Sequence, residues 1–319
     1  KITMVRHPES AYGFSRGGIF DQSLDNTRNF NLQYYGEANR SFFNDKFNAN
    51  LKIGSALNAQ ETYTQAVTGE RFLAPGLFSI ENTDNTTHRG RNRLSQRRLV
   101  GVFGNLTMDY DNILFVTLTG RNDWSSTLPI ENRSFFYPSV STSFIFTELE
   151  PLRGINHILS YGKLRGSWAR VGKDANPYSI RAFLEPKATT GGGFGYGFTG
   201  PSPDLRPEMT TSYEFGTELK FFNNRFGIDA TYFNKLSEDQ IVQDMRLSYA
   251  TGFVLQAFNA GKMRTEGIEL QLNAAPVVNT NFTWDVLANF THLWSELISL
   301  PTGVNEFYMS DTWLYGNVR

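Results

Sequence analysis

The densest set of chemically capable side chains is basic: Arg89, Arg91, Arg93, Arg97 and Arg98 fall within ten residues. Guanidinium forks at this density suit lipopolysaccharide phosphates or an acidic ligand. A charge run more often forms a solvated rim, and both readings stand at this point. Gly195-Tyr196-Gly197-Phe198-Thr199-Gly200 matches GxGxxG in letters. No strand reads into it and no helix out of it, as the nucleotide-binding form of the motif requires. With Gly191 to Gly193 just before it, the run reads as a long loop. There Phe194, Tyr196 and Phe198 offer flat faces to a ligand or partner, or pack on the rim of their own fold. In Arg121-Asn122-Asp123-Trp124-Ser125-Ser126, Asn122 and Asp123 suit an Asx-type turn and Trp124 an interfacial anchor, with substrate contact as the second reading.

Other chemistry finds no foothold. The four histidines, His7, His88, His157 and His292, are scattered, with no i, i+4 pair and no carboxylate at ligand spacing, so no metal site is expected. There is no GxSxG elbow, P-loop lysine or HExxH helix, and the close carboxylates Glu148 with Glu150 and Glu238 with Asp239 read as turn residues. No catalytic residue and no cofactor are therefore expected, and the chain does not read as an enzyme. Thirty Lys and Arg against 31 Asp and Glu supply no basic field for nucleic acid. Zero cysteines exclude disulfides and thiolate metal sites.

The elements that position these residues are strands. Phe47, Ala49, Leu51, Ile53, Ser55, Leu57 and Ala59 fall on one face, and Asn48, Asn50, Lys52, Gly54, Ala56, Asn58 and Gln60 on the other. The same split recurs at 30 to 40 and 212 to 221. Further strands are predicted at 98 to 110, 112 to 121, 134 to 147, 161 to 171, 226 to 235, 264 to 274 and 282 to 293, which makes ten with 47 to 63. Connections alternate. Those near 41 to 46, 109 to 112, 148 to 160, 222 to 225 and 275 to 281 are short, while 64 to 97, 122 to 133, 172 to 211, 236 to 263 and 294 onward are long. Phe42, Phe43, Phe47, Tyr110, Phe221, Phe222, Phe226, Phe282 and Trp284 bracket short turns, and Trp124, Phe135, Phe136, Trp168, Tyr213 and Trp294 sit at the other ends. Two aromatic girdles, short turns on one side and long loops on the other predict an antiparallel transmembrane β-barrel wall. No run of 18 apolar residues proposes a membrane helix, and Lys1 to Arg6 has no apolar core of a signal peptide, so the chain reads as a segment.

Arg121 to Ser126, Asn132 to Ser141, Lys163 to Gly172, Leu205 to Gly216, and Asn259-Ala260-Gly261 with Gly267 to Leu270 closely resemble barrel-strand signatures of the SusC/RagA family of TonB-linked outer-membrane transporters. The resemblance runs from about residue 28 to the end. It implies an all-β, 22-stranded barrel around an N-terminal plug. Residues 1–319 would form a partial barrel domain, the middle and later wall of a chain about three times as long. No plug or TonB-interacting segment is recognisable in these residues. The implied function is nutrient import, of oligosaccharide or oligopeptide, across the outer membrane of a Gram-negative, Bacteroidetes-type bacterium. The implied partners are a SusD-like surface lipoprotein, the TonB complex through the N-terminal part, outer-membrane lipid and lipopolysaccharide, and a second transporter–lipoprotein pair in a dimer.

Two other readings remain from the residues themselves: a passive porin complete in ten strands, and a soluble β-sandwich with an aromatic carbohydrate platform. The transporter reading makes two geometric demands. Leu51, Ile53, Leu57, Val100, Val102, Val116, Leu118, Phe215, Leu219, Ile268 and Leu270 must share the lipid face. The strands near Phe30 to Asn39 and Phe282 to Thr291 must not pair with each other, because a segment of a larger barrel does not close on itself.

Overall fold

The computed structural model describes residues 1–11, 13–187 and 193–300. The ten expected strands are present as β2 (Ile19–Phe42), β3 (Phe47–Glu70), β4 (Arg89–Tyr110), β5 (Leu114–Ser125), β6 (Ser134–Ile145), β7 (Leu159–Lys173), β11 (Glu208–Phe221), β12 (Phe226–Arg246), β13 (Leu255–Asn279) and β14 (Phe282–Ser299). Four short strands complete the set: β1 (Ile2–Arg6), β8 (Leu184–Lys187), β9 (Gly193–Tyr196) and β10 (Thr199–Gly200). Neighbours in sequence pair antiparallel along one sheet, in the order β1 through β7, β11, β12, β13, with β14 on β13 and β10 parallel to β13. No ladder joins β2 to β14 among the described residues, so the sheet is an open, unclosed section of wall.

Short turns owe their tightness to residues that accept the left-handed region. Phe43, Asn44 and Asp45 have φ of 55°, 55° and 64°, Asp111 and Asn112 53° and 56°, and Phe222, Asn223 and Asn224 53°, 57° and 66°. Asn and Asp tolerate this region because their short polar side chains satisfy nearby backbone groups. Two of the turns thus repeat one solution, Phe-Asn-Asx. Phe42 meets Phe47 at 6.0 Å and Phe221 meets Phe226 at 6.1 Å, so rings flank the turns as the girdle requires.

The chain divides into two compact units. In the larger one, Gln33–Ala56 and Val100–Arg319, register fixes the faces. Leu118 lies opposite Val140, Val140 opposite Trp168, and Trp168 opposite Tyr213. Phe215 lies opposite Tyr232, Tyr232 opposite Ile268, Leu219 opposite Ile228, and Ala230 opposite Leu270. These residues form one apolar face. The alternate positions are polar: Thr117 lies opposite Ser141, Ser143 opposite Arg165, and Thr231 opposite Glu269. Asn50 donates to Glu37 at 2.6 Å, and Asn48 to Asp109 at 3.0 Å, so these amides are on the face opposite Leu51 and Ile53.

The smaller unit, Lys1–Leu32 and Leu57–Leu99, shows why the strands outrun their predicted ends. Thr68 donates to Asp21, Thr64 to Asp25, each at 2.6 Å, and Thr27 and Thr62 share a bond of 3.1 Å. Asn58 donates to Asn31 on the same face. Side chains that bond across the ladder hold strands where no apolar face exists, and alternation of hydrophobicity cannot see them. The long connections shrink accordingly: 71 to 88 replaces 64 to 97, and 247 to 254 replaces 236 to 263.

With the apolar face in hydrocarbon, Leu118→Arg should cost roughly 2–4 kcal/mol if it lies near mid-depth, and Thr117→Arg far less. Urea titration of the full-length protein in lipid vesicles measures both. Equal costs would mean that the faces are assigned wrongly.

Candidate functional site

The polar face of the larger unit is a wall of hydroxyl, amide and paired charge. Asn105 donates to Thr119 at 3.0 Å, and Thr107 and Thr117 lie 3.4 Å apart. Ser139, Ser141 and Ser143 continue this face on β6, opposite Ala169, Ser167 and Arg165. A cavity of about 260 Å³ opens here, lined by Thr117, Ser141, Ser143, Arg165, Ser167 and Glu214 among others. Arg165 is held by Asp229 through two bonds of 2.9 and 2.5 Å and by Thr231 at 2.5 Å. Gly216, directly opposite, leaves room for that guanidinium: a Cβ there would lie 2.5 Å from its Nε. Glu218 takes Lys163 at 2.7 Å and Lys220 at 3.0 Å, with Tyr161 under both ammonium groups. Each of these cations meets a carboxylate, so the wall is hydrophilic with its charges answered locally.

The 121 to 126 motif departs from expectation. Asn122 and Asp123 do not form an Asx turn, because they remain in β5 and pair with Phe136 and Phe135. Asp123 is buried, accepts from Arg121 Nε at 2.8 Å and accepts the Tyr137 hydroxyl. A Cβ on Gly101 would overlap this carboxylate, so the glycine makes the space for it. Ion pairing and burial fix the segment in the ladder, which a turn would have disrupted. Asn122 donates to Ser134 at 3.0 Å on the opposite face, and Trp124 is exposed beyond it. Ser125 and Thr127, both fully buried, donate to Asp174 at 2.5 and 3.1 Å, tying the loop after β5 to that after β7.

Phe194, Tyr196 and Phe198 lie where the sequence suggested, on exposed surface, but not in an irregular loop. Gly193–Tyr196 is a strand paired with Leu184–Lys187, with Leu184 opposite Tyr196. Phe194 is 71% exposed. Tyr196 meets the edge of Phe253 at 5.7 Å, and the Phe198 carbonyl accepts from Val254 and Leu255 at 2.9 and 3.0 Å. The aromatic run and the 247 to 254 connection thus form one surface. Gly191 and Gly192 lie outside the described residues.

Sequence reasoning missed a clasp that joins two of the quoted signatures. Asn259 donates to the carbonyls of Arg206 at 2.8 Å and Asp239 at 2.7 Å, and its Oδ1 accepts the Arg206 N–H at 2.8 Å. Arg206 also pairs with Asp239 at 2.7 Å. Asp239 sits at φ 54° between register shifts in β12. The bulge turns its carbonyl toward Asn259 and its carboxylate toward Arg206. A second clasp closes the smaller unit: Asn82 bonds Ala74 twice and Leu77 once, and Thr83 bonds Ile80 and His88. Asp84 caps Thr86 and pairs with Arg71 at 3.0 Å. The Thr86 hydroxyl and N–H, and then Arg71, hold the Asp84 carboxyl below its ordinary range. That contribution is present above the unfolded carboxylate pKa and is lost as pH falls through the lowered value.

The arginine cluster divides. In β4, Arg89, Arg91, Arg93 and Arg97 share one face, and Arg97 reaches Asn58 at 3.5 Å, which places them with the Asp-Thr-Asn ladder. Arg98 falls on the opposite face by the alternation of the strand, and the small cavity beside it draws on both faces, with Arg97 and Gln60 as well as Arg28, Phe30 and Glu61. Among the described residues no group of three or more His, Cys, Asp or Glu has metal-site geometry.

Residues 5–317 match the family model described as TonB dependent receptor-like, beta-barrel. TonB-dependent receptor P26 of Formosa agariphila is 29% identical over 89% of this chain and 29% of its own length. TonB-dependent receptor SusC of Bacteroides thetaiotaomicron is 27% identical over 94% of this chain and 32% of its own. This chain therefore spans about a third of the length of such relatives. The fold matches the structure of the RagAB peptide transporter with a TM-score of 0.79, 21% identity and coverage of 92% of this chain and 33% of that one. It matches the ferripyoverdine receptor of the Pseudomonas aeruginosa outer membrane with a TM-score of 0.56, 14% identity and coverage of 88% and 34%.

Replacing Asn259 with Ala removes three bonds, a loss of about 1–3 kcal/mol confined to the clasp. Limited proteolysis of the full-length protein should then cut faster within 201 to 207 or 247 to 254, with heat-modifiable migration of the barrel unchanged. An unaltered cleavage rate would show that the clasp does not restrain these segments.

Proposed function

The chain belongs to the TonB-dependent receptor-like β-barrel family, and from that premise we propose that it is the wall of an energised outer-membrane importer for a bulky nutrient. The family is one of receptors and transporters rather than enzymes. The observation that carries the reading is the two-faced sheet. Apolar residues such as Leu118, Val140, Trp168, Phe215 and Ile268 share one side, and Thr117, Ser141, Arg165 and Asp229 the other. A barrel of this kind sets the first face in lipid and the second around a hydrated lumen. Solutes of oligosaccharide or oligopeptide size do not pass narrow open pores, so import requires a plug that moves on demand, supplied with the TonB contact by the N-terminal part of the full-length protein. The passive-porin and sandwich readings lose support from the family match.

On this reading the short turns face the periplasm and the long connections the exterior, in the outer membrane of a Gram-negative bacterium. A SusD-like surface lipoprotein rests on the long-loop side. The exposed rings of Phe194, Tyr196 and Phe198 are its proposed contacts, since rigid aromatic faces lose little entropy on docking. Asn122, Asp123 and Trp124 support that rim: Asp123 inside the wall, Trp124 as anchor on the lipid side. Arg98, with Arg28 on the face opposite the other arginines, is suited to lipopolysaccharide phosphates, and two transporter–lipoprotein pairs would associate through lipid-facing wall.

Deletion of 191 to 200 is expected to weaken co-purification of the lipoprotein, or uptake of the cognate solute, while the barrel still assembles. Association and uptake both unchanged would return these rings to a packing role. A lipoprotein bound on the short-turn side would overturn the orientation.

A further inference from the structure

The structure gives β4 an arginine ladder whose function the importer reading leaves open. Arg89, Arg91, Arg93 and Arg97 are alternate residues of one strand, so the first three guanidinium stems repeat at about 7 Å. Their face is set by Arg97, which reaches Asn58, and by Asn58, which bonds Asn31 opposite. Leu57 and Arg98 point the other way. The ladder is therefore on the lumen side of a barrel wall, not on the side that meets lipid.

The composition of this face is unusual. It carries Asp21, Ser23, Asp25, Thr27, Asn29 and Asn31 from β2. From β3 come Asn58, Gln60, Thr62, Thr64, Ala66, Thr68 and Glu70, beside the four arginines and Ser95 of β4. Ala66 is the one apolar side chain between Ile19 and Leu99, which stand at its ends on β2 and β4. Glu70 is taken by Arg16 at 3.1 Å, and Asp21 and Asp25 accept threonine hydroxyls. Arg89, Arg91 and Arg93 are exposed and have no ion pair among the described residues. Positive charge thus exceeds what its own face answers.

We infer that this face recognises an anionic oligosaccharide, one carrying carboxylate or sulfate groups in series, on its way into the lumen. The inference rests on the importer reading and names the class of its solute. Guanidinium forks bind oxyanions through paired, directional hydrogen bonds. Amides, hydroxyls and carboxylates at neighbouring positions bond sugar hydroxyls. A peptide would need apolar recesses for its side chains, and the stretch beside the arginines offers only Ala66. Arginines that repeat at about 7 Å on flexible stems can reach charged groups on successive or alternate sugars of an extended chain.

The test uses the full-length transporter and four probes of similar length: hexagalacturonate, a sulfated galactan hexamer, maltohexaose and hexaglutamate. Calorimetry in detergent should find at least one charged sugar bound about tenfold or more tighter than maltohexaose, with affinity falling as salt rises. The double variant Arg91→Gln, Arg93→Gln should lose that preference about tenfold and flatten its salt dependence, with barrel migration unchanged. The same variant should bind maltohexaose as the parent does. Equal binding of charged and neutral sugars, or a preference that survives the double variant, overturns the inference and leaves the importer reading standing. Preference for hexaglutamate over both charged sugars replaces the saccharide with an acidic peptide. Loss of the lipoprotein from the double variant, with sugar binding intact, assigns the ladder to the partner instead. Failure of cells carrying the transporter to take up any solute overturns both readings.

Discussion

A backbone in hydrocarbon has no water to bond, so every N–H and C=O that crosses the bilayer must be paired within the protein. The rest of this structure depends on that constraint. It forces long, regular, antiparallel ladders with neighbours adjacent in sequence. It also confines irregular backbone to the ends, at tight left-handed turns on one side and clasped connections on the other. Of the two register shifts near short-turn ends among the described residues, at Lys220/Phe221 and Ala274/Val277, the second coincides with Pro276, which has no N–H to give the ladder.

Once the ladder is fixed, alternation supplies everything else. Each strand presents one side chain to lipid and the next to water, so a single register step would expose Asn and Asp to hydrocarbon at several kcal/mol each. Polar residues therefore specify the register as firmly as apolar ones. The larger unit answers its charges pairwise, Arg165 with Asp229 and Glu218 with Lys163 and Lys220. Glycines at 101 and 216 leave the space these pairs occupy.

Alternation was legible in the sequence for the same reason, and the ten principal strands with their turn-loop rhythm followed from it. Strand ends were not legible, because Asp21 to Thr27 and Thr62 to Thr68 hold their ladder by side-chain hydrogen bonds rather than by an apolar stripe. The Asx turn at Asn122-Asp123 does not form because the turn preference of those residue types is overridden by partners in the ladder. Only the distant Tyr137 and Gly101 decide between turn and strand. The Arg206–Asp239–Asn259 clasp joins residues far apart in sequence across a bulge, and no spacing rule encodes a bulge. The division of the arginines shares the cause of the hidden strand ends: β4 begins at Arg89, inside the stretch that reads as a long connection, and only in a strand does parity separate Arg98 from the rest.

Extending strands beyond the bilayer also changes what the rim can do. A loop that binds a solute must first be ordered, at roughly 1–2 kcal/mol of backbone entropy per residue. The arginines of β4 sit on a backbone already fixed by its neighbours, so only side-chain freedom remains to be lost. A rigid rim also keeps its charges at a set spacing, which lets it discriminate by pattern rather than by net charge. On the proposed reading, the exposed rings of Phe194, Tyr196 and Phe198 take the other task, contact with a partner. On that reading the hydrogen-bonded strand extensions, invisible to hydrophobic patterning, separate the two roles.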